Sequence, residues 1–431
     1  MQEGLPPGPP EPRLAQMMQW LSRPVAYAER QRDRYGEAFT ARIEERPWVM
    51  LGDPVDVRAV FTAGPDRVNA GEANAILRPT LGSHSLLLLD GEEHLRQRKL
   101  MLPAFHGERV DGYRQIMREA TERAVASWPV GEPFALRPHA QAITLEVIMR
   151  AVFGLEEEET AVARLREPLR RMLDWAGNPA ALLVVAMVGP DHPFVRRVLA
   201  RRSLEPVDRE LYALIAARRA ALDLAERDDV LSTLLMARGE DGEPMTDVEL
   251  RDELLTLLLA GHETTATSLA WAVERLVRQP GSLERLADDG DYADAVVKEV
   301  LRMRPVVAIV LRRLREPLQI AGRELPAGTT VAPCMLLVHR REDVYRDPDT
   351  FRPERFLERP AGTYTWIPFG GGVRRCLGAA FAQIEMQVVL QTLARSVRLE
   401  AVGEAEGVRR RGVTLMPARG GEVRATAPAA R

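Results

Sequence analysis

Apolar residues recur at helical spacing through most of the first half of the chain. From Glu92 to about Leu235, stretches such as YRQIMREATERAVASW and VDRELYALIAARRAALDLA predict a run of helices. Gly, Pro, Asp and Asn clusters at WPVGEPF, GNPAA, VGPDHPF and ARGEDGEPM break that run. Upstream, WVMLGDPVDVRAVF predicts a strand and turn feeding a helix, and LPPGPPEPR a stiff lead-in. The longest element is predicted from Thr246 to about Arg278. Thr246 and Glu249 form a T-x-x-E capping box, and Pro280 marks the stop. At 1.5 Å per residue it would span roughly 50 Å. Its first half, LLTLLLAG, is apolar on nearly all sides, so the helix is expected to run through the core. Another helix is predicted from near Asp291 to Met303. Beyond it, REPLQIAGRELPAGTTVAPCMLLVHR alternates short β-like runs with Gly and Pro, which predicts a small sheet. Helix returns from Cys376 to about Val397, and GVRRRGVTLMP predicts a last hairpin. With no repeat and no interdomain linker visible, we expect one mainly α domain with small β-sheets over 16–431, behind a proline-rich lead-in of 1–15.

Composition narrows the classes. The 431 residues are 46% hydrophobic, enough for a large core, and the net charge of -3 argues against a strongly basic nucleic-acid binder. Only Lys99 and Lys298 are lysines among 59 basic residues, a bias we attribute to a GC-rich coding sequence. The longest apolar stretches, Leu254 to Ala260 and Ala180 to Val188, fall short of the ~20 residues a membrane span needs. MQEGLPPGPPEP lacks the features of a secretory signal, so a cytoplasmic location is expected. Two cysteines, Cys334 and Cys376, make no disulfide framework; a reducing compartment follows, with each thiol free or ligated.

The densest candidate chemistry is FGGGVRRCLG, Phe369 to Gly378. A phosphate cradle would show G-x-x-x-x-G-K-[ST], or G-x-G-x-x-G after a strand, and neither is present. Zinc lacks a local Cys/His pair. An inert buried thiol in an ordinary turn stays open on the loop alone. A thiolate that ligates haem iron needs a loop free of side-chain bulk, with amides aimed at sulfur, and positive charge opposite the porphyrin carboxylates. Gly370, Gly371 and Gly372 supply the first and Arg374 the second. Phe369, Gly372, Arg374, Cys376 and Gly378 match F-x-x-G-x-R-x-C-x-G, and here the chain resembles the cytochrome P-450 family.

Further motifs follow in family order across roughly Arg34 to Pro417. Ala260-Gly261-His262-Glu263-Thr264-Thr265 resembles A-G-x-[DE]-T-[TS]. Gly261 is expected to remove a side chain where the helix passes the ring and to permit a break in its hydrogen-bond ladder. The resemblance assigns proton delivery during dioxygen activation to Glu263 and Thr264. Glu299 and Arg302 match E-x-x-R, and PERF supplies Arg355; the resemblance joins the three in a network supporting the cysteine loop. His94 and Arg98, at i and i+4, match an H-x-x-x-R that binds haem propionates, and Arg312 resembles the contact to the other propionate, with Arg313 a rival for that place. Arg374 is a further propionate partner. Phe369 is expected against the ring, and Gly378 to let a helix begin close to it. His262 reads as a spacer, His339 as a turn residue and Cys334 as a buried strand thiol.

The resemblance implies a single-domain P-450 fold with a long central helix over haem b, ligated by Cys376 thiolate, and a monomeric monooxygenase that places one atom of O2 into a hydrophobic substrate. Fatty acids, terpenes and steroids are the candidate classes, with long-chain fatty acids favoured. Leu77, Leu81, Leu86, Leu257, Val306, Val307 and Val310 are expected to line the pocket. MLDWAGNPAALLVVAMV is a further substrate-access candidate. No flavin or ferredoxin cysteine pattern is visible. NAD(P)H electrons are therefore expected indirectly, through a ferredoxin and ferredoxin reductase or a flavodoxin, docking where Arg375, Arg96 and Lys99 supply positive charge. LPPGPP resembles the hinge after a membrane anchor; a naturally soluble relative is favoured over loss of an anchor. The alternatives are a peroxide-driven peroxygenase and a non-catalytic haem sensor.

Overall fold

The proline-rich lead-in stays extended beside the first strand. Thr40 donates its backbone N–H to Pro7 O at 3.0 Å and its hydroxyl to Pro6 O at 2.6 Å. A Cβ on Gly8 would stand 1.9 Å from Thr40 O, so the approach requires glycine. The computed structural model describes residues 4–105, 111–155, 164–165, 167–172, 184, 188–189, 192–193 and 204–426.

Among the described residues, α1 (Arg13–Ser22), α2 (Pro24–Tyr35), β1 (Ala38–Ala41), β2 (Trp48–Leu51), α3 (Pro54–Thr62), β3 (Val68–Asn69), α4 (Arg78–Leu81), α5 (Gly91–Met101) and α6 (Arg114–Ala126) lead to β4 (Pro133–Ala135) and α7 (Leu136–Phe153). Then come α8 (Glu205–Arg219), α9 (Val230–Met236), α10 (Asp247–Leu276), α11 (Ser282–Asp288) and α12 (Gly290–Met303). The last part holds β5 (Arg312–Leu314), β6 (Leu318–Ile320), β7 (Arg323–Leu325), β8 (Thr330–Pro333), α13 (Met335–Val338), α14 (Arg355–Glu358), α15 (Ala379–Ser396), β9 (Arg398–Ala401), β10 (Val408–Arg411), β11 (Thr414–Pro417) and β12 (Glu422–Thr426).

The long helix starts and stops as its sequence predicts. Thr246 caps α10, accepting from Glu249 N–H at 3.2 Å, while Glu249 accepts from Thr246 N–H at 2.7 Å. Its first half packs Leu250, Leu254, Leu255 and Leu258 into a core shared with α7, α8 and α9. Its second half packs Leu269, Trp271 and Val273 into another core with α6, α12 and α15. One helix thus threads two cores, which explains its apolar circumference.

The sheets are small and peripheral. The largest has strand order β1-β2-β8-β5-β3. Its β2/β8 pair is parallel, Trp48 opposite Thr330, and all residues of both strands are buried, as parallel pairing favours. The predicted last hairpin is β10–β11, and β4, β12 and β9 form a third sheet. No helix among the described residues is long and apolar enough to cross a membrane.

Candidate active site

The cysteine loop connects α14 to α15 and turns on its glycines. Gly370 and Gly372 adopt φ of 66° and 65°, conformations that disfavour any Cβ. Gly371 and Gly372 also lie against the end of α3: a Cβ on either would come within 2.2 Å of the Phe61 ring or 2.0 Å of its carbonyl oxygen. Cys376 N–H donates to Phe369 O at 2.9 Å and closes the loop. Burial pushes the Cys376 thiol up, and the Gly378 N–H, Arg375 and Arg98 oppose that shift. The surrounding chain is dense, yet the cysteine side chain itself is uncovered. At Gly378 no described atom would meet a Cβ within 4 Å, and φ is -84°. Neither protein packing nor backbone conformation therefore demands that glycine. Phe369 sits partly buried beside Trp366, ring centroids 5.9 Å apart.

Cationic groups converge beside this loop. Arg374 donates to Leu86 O at 3.1 Å, to Leu89 O and to Asp90 Oδ1 at 2.6 Å. Burial draws both Arg374 and Arg312 down to about 10, and each is opposed only by Asp90. Burial, then Arg374, Arg98 and Arg312, hold His94 neutral, down to about 3. Asp90 is the one carboxylate acting on Arg374 and Arg312 among the described residues, and it also accepts the backbone N–H groups of Ala70, Gly71 and Glu72. The cluster therefore carries positive charge in excess, and a ligand bearing two carboxylates would balance it. Arg313 instead lies 3.6 Å from Glu72 and donates to Gly328 O at 2.7 Å, so Arg312 is the arginine facing the cluster.

The α10 segment behaves differently from its sequence reading. The helix is continuous through Gly261, without the expected break. A Cβ on Gly261 would stand 3.0 Å from Ile148 Cδ1 of α7, so this glycine permits close helix packing. Ala260 is the exposed residue of the segment, with Thr264 one turn later on the same face. Thr264 donates its hydroxyl to Ala260 O at 2.6 Å, leaving the oxygen an acceptor toward its surroundings. Glu263 faces elsewhere: it pairs with Arg137, accepts from Gln141 at 2.6 Å and lies 3.6 Å from Arg411. His262 is buried with Nδ1 unpaired, and burial pushes it down to about 4.

Behind the loop, the charged triad forms as expected. Arg302 meets both oxygens of Glu299, at 2.7 and 2.9 Å, and donates to His339 O and Pro348 O. Arg355 donates to Glu299 at 3.1 Å and to the carbonyls of Arg346, Asp347 and Thr350. His339, read from sequence as a turn residue, is buried and joins this network to the cysteine loop. Its Nε2 accepts from Ile367 N–H at 2.8 Å, so its Nδ1, 3.1 Å from Arg302 O, is the donor. A lone histidine carries no sequence signal for such a bridge; only the Arg302 spacing pointed to the region.

Leu81 is fully buried in α4, Leu86 is buried within the α7–α10 core and Val306 is also buried, whereas Leu77, Leu257, Val307 and Val310 remain partly exposed. One expectation needs correction. Arg96 pairs with Glu249 at 3.0 Å and Lys99 with Glu240 at 2.7 Å, which leaves Arg375 as the exposed cation of that expected set without an ion pair among the described residues. The MLDWAGNPAALLVVAMV segment lies largely outside the described residues. Among the described residues no group of three or more His, Cys, Asp and Glu side chains is arranged to hold a metal ion.

Comparison with known proteins agrees with this arrangement. The Cytochrome P450 family model matches residues 6–420. Cytochrome P450 135B1 of Mycobacterium tuberculosis is 41% identical over 98% of this chain and 92% of its own length. Cytochrome P450 137 of the same organism is 40% identical over 98% and 91%. Among solved structures, retinoic acid bound cyanobacterial CYP120A1 superposes with a TM-score of 0.84 at 24% identity, covering 98% of this chain and 99% of that one, which shows the fold. The uncovered thiol, the surplus of positive charge and the open space at Gly378 fit the haem that this family carries. The chain belongs to the cytochrome P450 family and is an oxidoreductase of the haem-thiolate monooxygenase class.

Proposed function

We propose that this enzyme hydroxylates a hydrophobic fatty-acid, terpene or steroid substrate, with Cys376 as the thiolate that would hold the haem and electrons from a ferredoxin or flavodoxin that NAD(P)H feeds indirectly. The carrying observation is the juxtaposition of the uncovered Cys376 with the His94, Arg98, Arg312 and Arg374 cluster. Haem held there would supply dioxygen activation, and the Cys376 thiolate would lend it electron density. Gly378 N–H steadies the sulfur charge, while Arg98, Arg312, Arg374 and neutral His94 would hold the haem carboxylates. Thr264 Oγ1 holds a proton donor on the Ala260 face, and Glu263 relays protons when its clamp with Arg137 and Gln141 opens. Leu77, Leu257, Val307 and Val310 supply apolar lining. Arg375 offers the electron carrier an unpaired cation, so turnover should fall as salt rises.

Two measurements test this reading. Cys376→Ser should abolish the red-shifted carbonyl spectrum of a thiolate haem; its retention would overturn the ligand assignment. A substrate library including retinoic acid, the ligand of the cyanobacterial fold relative, is screened by the water-displacement spectral shift and then by product. Product with carrier and O2 supports the reading. Product with peroxide alone identifies a peroxygenase, and ligand shifts without any product identify a sensor.

A further inference from the structure

One turn of α10 grips the loop that follows α4. Asp252 accepts His84 N–H at 2.9 Å and lies 3.4 Å from His84 Nδ1, while the Thr256 hydroxyl donates to Asp252 O at 2.7 Å and accepts from Ser85 Oγ at 2.7 Å. Between them stands Glu253, 0% exposed, with Gln97 of α5 and the Leu86 N–H facing its carboxyl. Neither carboxyl oxygen closes a hydrogen bond of good geometry, and the Gln97 amide nitrogen is unpaired as well. Successive residues His84, Ser85 and Leu86 thus meet Asp252, Thr256 and Glu253, which share one helical face. On the loop's other side Arg374 holds Leu86 O, Leu89 O and Asp90.

We infer that Glu253 is a positioning residue that seats the 84–90 loop against α10 and α5, acting through Leu86 N–H and Gln97. It performs this role as the neutral acid, which can both donate and accept in an enclosed site. The charges around it do not favour ionisation. On α10, Asp252 and Glu249 are acidic, and Arg251 is engaged by Asp208 and Asp252. On α5, Arg96 is taken by Glu249, while His94 and Arg98 belong to the cationic cluster. On the loop, His84 is held by Asp252 and Arg374 by Asp90. Burial first, then Asp252 and Glu249, lift Glu253 to about 8 against the pull of Gln97 and Leu86 N–H. Ionisation would strand a buried carboxylate beneath Leu86, and moving the loop away is the route by which water reaches it. The loop should therefore loosen progressively as pH rises from the ordinary carboxyl value of 4.5 toward about 8, with no further change above it.

The test is backbone hydrogen exchange on the full-length holoenzyme between pH 6.5 and 9.5, corrected for intrinsic exchange. In the wild type, the opening constant of the 84–90 amides should rise about tenfold per pH unit from pH 6.5 up to the folded-state midpoint near 8 and level off above it, as one coupled proton requires, while α12 stays protected. Glu253→Gln keeps size and hydrogen-bonding capacity without the charge, and should show a flat opening constant across the range, at or below the wild-type level at pH 6.5. Should Glu253→Gln fail to fold, Glu253→Met carries the same flat expectation. A wild-type loop without that rise, a Glu253→Gln loop that opens as the wild type does, or opening that spreads equally to α12 would each overturn the inference. None of these readouts depends on the proposed substrate or electron carrier.

Discussion

Replacing His339 with phenylalanine should separate the cysteine loop from the helix behind it. The native ring accepts Ile367 N–H and donates to Arg302 O, a carbonyl in the last turn of α12 that lacks an intrahelical partner. Phenylalanine fills the space and satisfies neither group. Two buried backbone groups left unpaired at ~1–2 kcal/mol each give a loss of about 2–4 kcal/mol at pH 7. The same bridge fixes a pH dependence. Burial, then Arg302, push His339 down from 6.5 to about 3. Between those values the unfolded chain binds more protons than the folded one, so the ring's contribution is full above about 6.5 and is lost as pH falls toward 3. By pH 5 that loss is on the order of 2 kcal/mol. Urea unfolding followed by tryptophan fluorescence at pH 7 and pH 5 should show the variant weaker at pH 7 and the gap narrowing at pH 5. Equal stability at pH 7, or a gap that does not change with pH, would refute the neutral bridging role.

Arg355→Leu leaves the buried Glu299 without one of its two cationic partners and releases three carbonyls, so urea unfolding should show a loss of ~3–5 kcal/mol. Arg312→Gln removes a charge-assisted partner from the cluster facing the haem carboxylates. Haem transfer to apomyoglobin should then run roughly ten- to a hundredfold faster, for a loss of ~1.5–3 kcal/mol, while urea stability of the apoprotein stays near wild type. Gly372→Ala meets Phe61 O at 2.0 Å with φ at 65°, and should cost the apoprotein stability measured by urea. Gly378→Ala meets no described atom, so it should leave apoprotein stability unchanged while lowering the haem affinity measured by titration.

Much of the scaffold was legible because local signals and long-range packing agree. The α10 boundaries follow from Thr246, Glu249 and an apolar circumference, and the two cores it threads supply the reason for that circumference. The cysteine loop was legible from its spacing, and the structure adds that Gly371 and Gly372 answer to Phe61 more than 300 residues away in the numbering. Gly261 was misread because periodicity shows that a glycine sits on a face without showing which neighbour presses on it; the neighbour is Ile148. Arg96 and Lys99 looked like free cations for the same reason, since their partners Glu249 and Glu240 come from the far side of the chain. Leu81 and Leu86 are apolar whether they line a pocket or fill a core, and hydrophobicity alone does not distinguish the two.

The cysteine loop is gripped from three directions, and the chemistry needs that redundancy. From behind, His339 ties Ile367 to the Glu299–Arg302–Arg355 network. From the side, the end of α3 presses on Gly371 and Gly372. From across the cluster, Arg374 reaches the 84–90 loop. A flexible glycine loop carrying Cys376 would sample many sulfur positions at a cost of ~1–2 kcal/mol of backbone entropy for each residue later ordered. Anchors outside the loop meet that cost during folding, before any ligand arrives. The third anchor also couples the thiol side to the loop seated on Glu253. Loosening that loop would remove the acceptors of Arg374 and alter the charge balance that holds the haem carboxylates. Opening of the 84–90 loop and weaker haem retention should accordingly share one pH profile in the wild type, both rising toward pH 8 and levelling off above it, and Glu253→Gln should remove both dependences together.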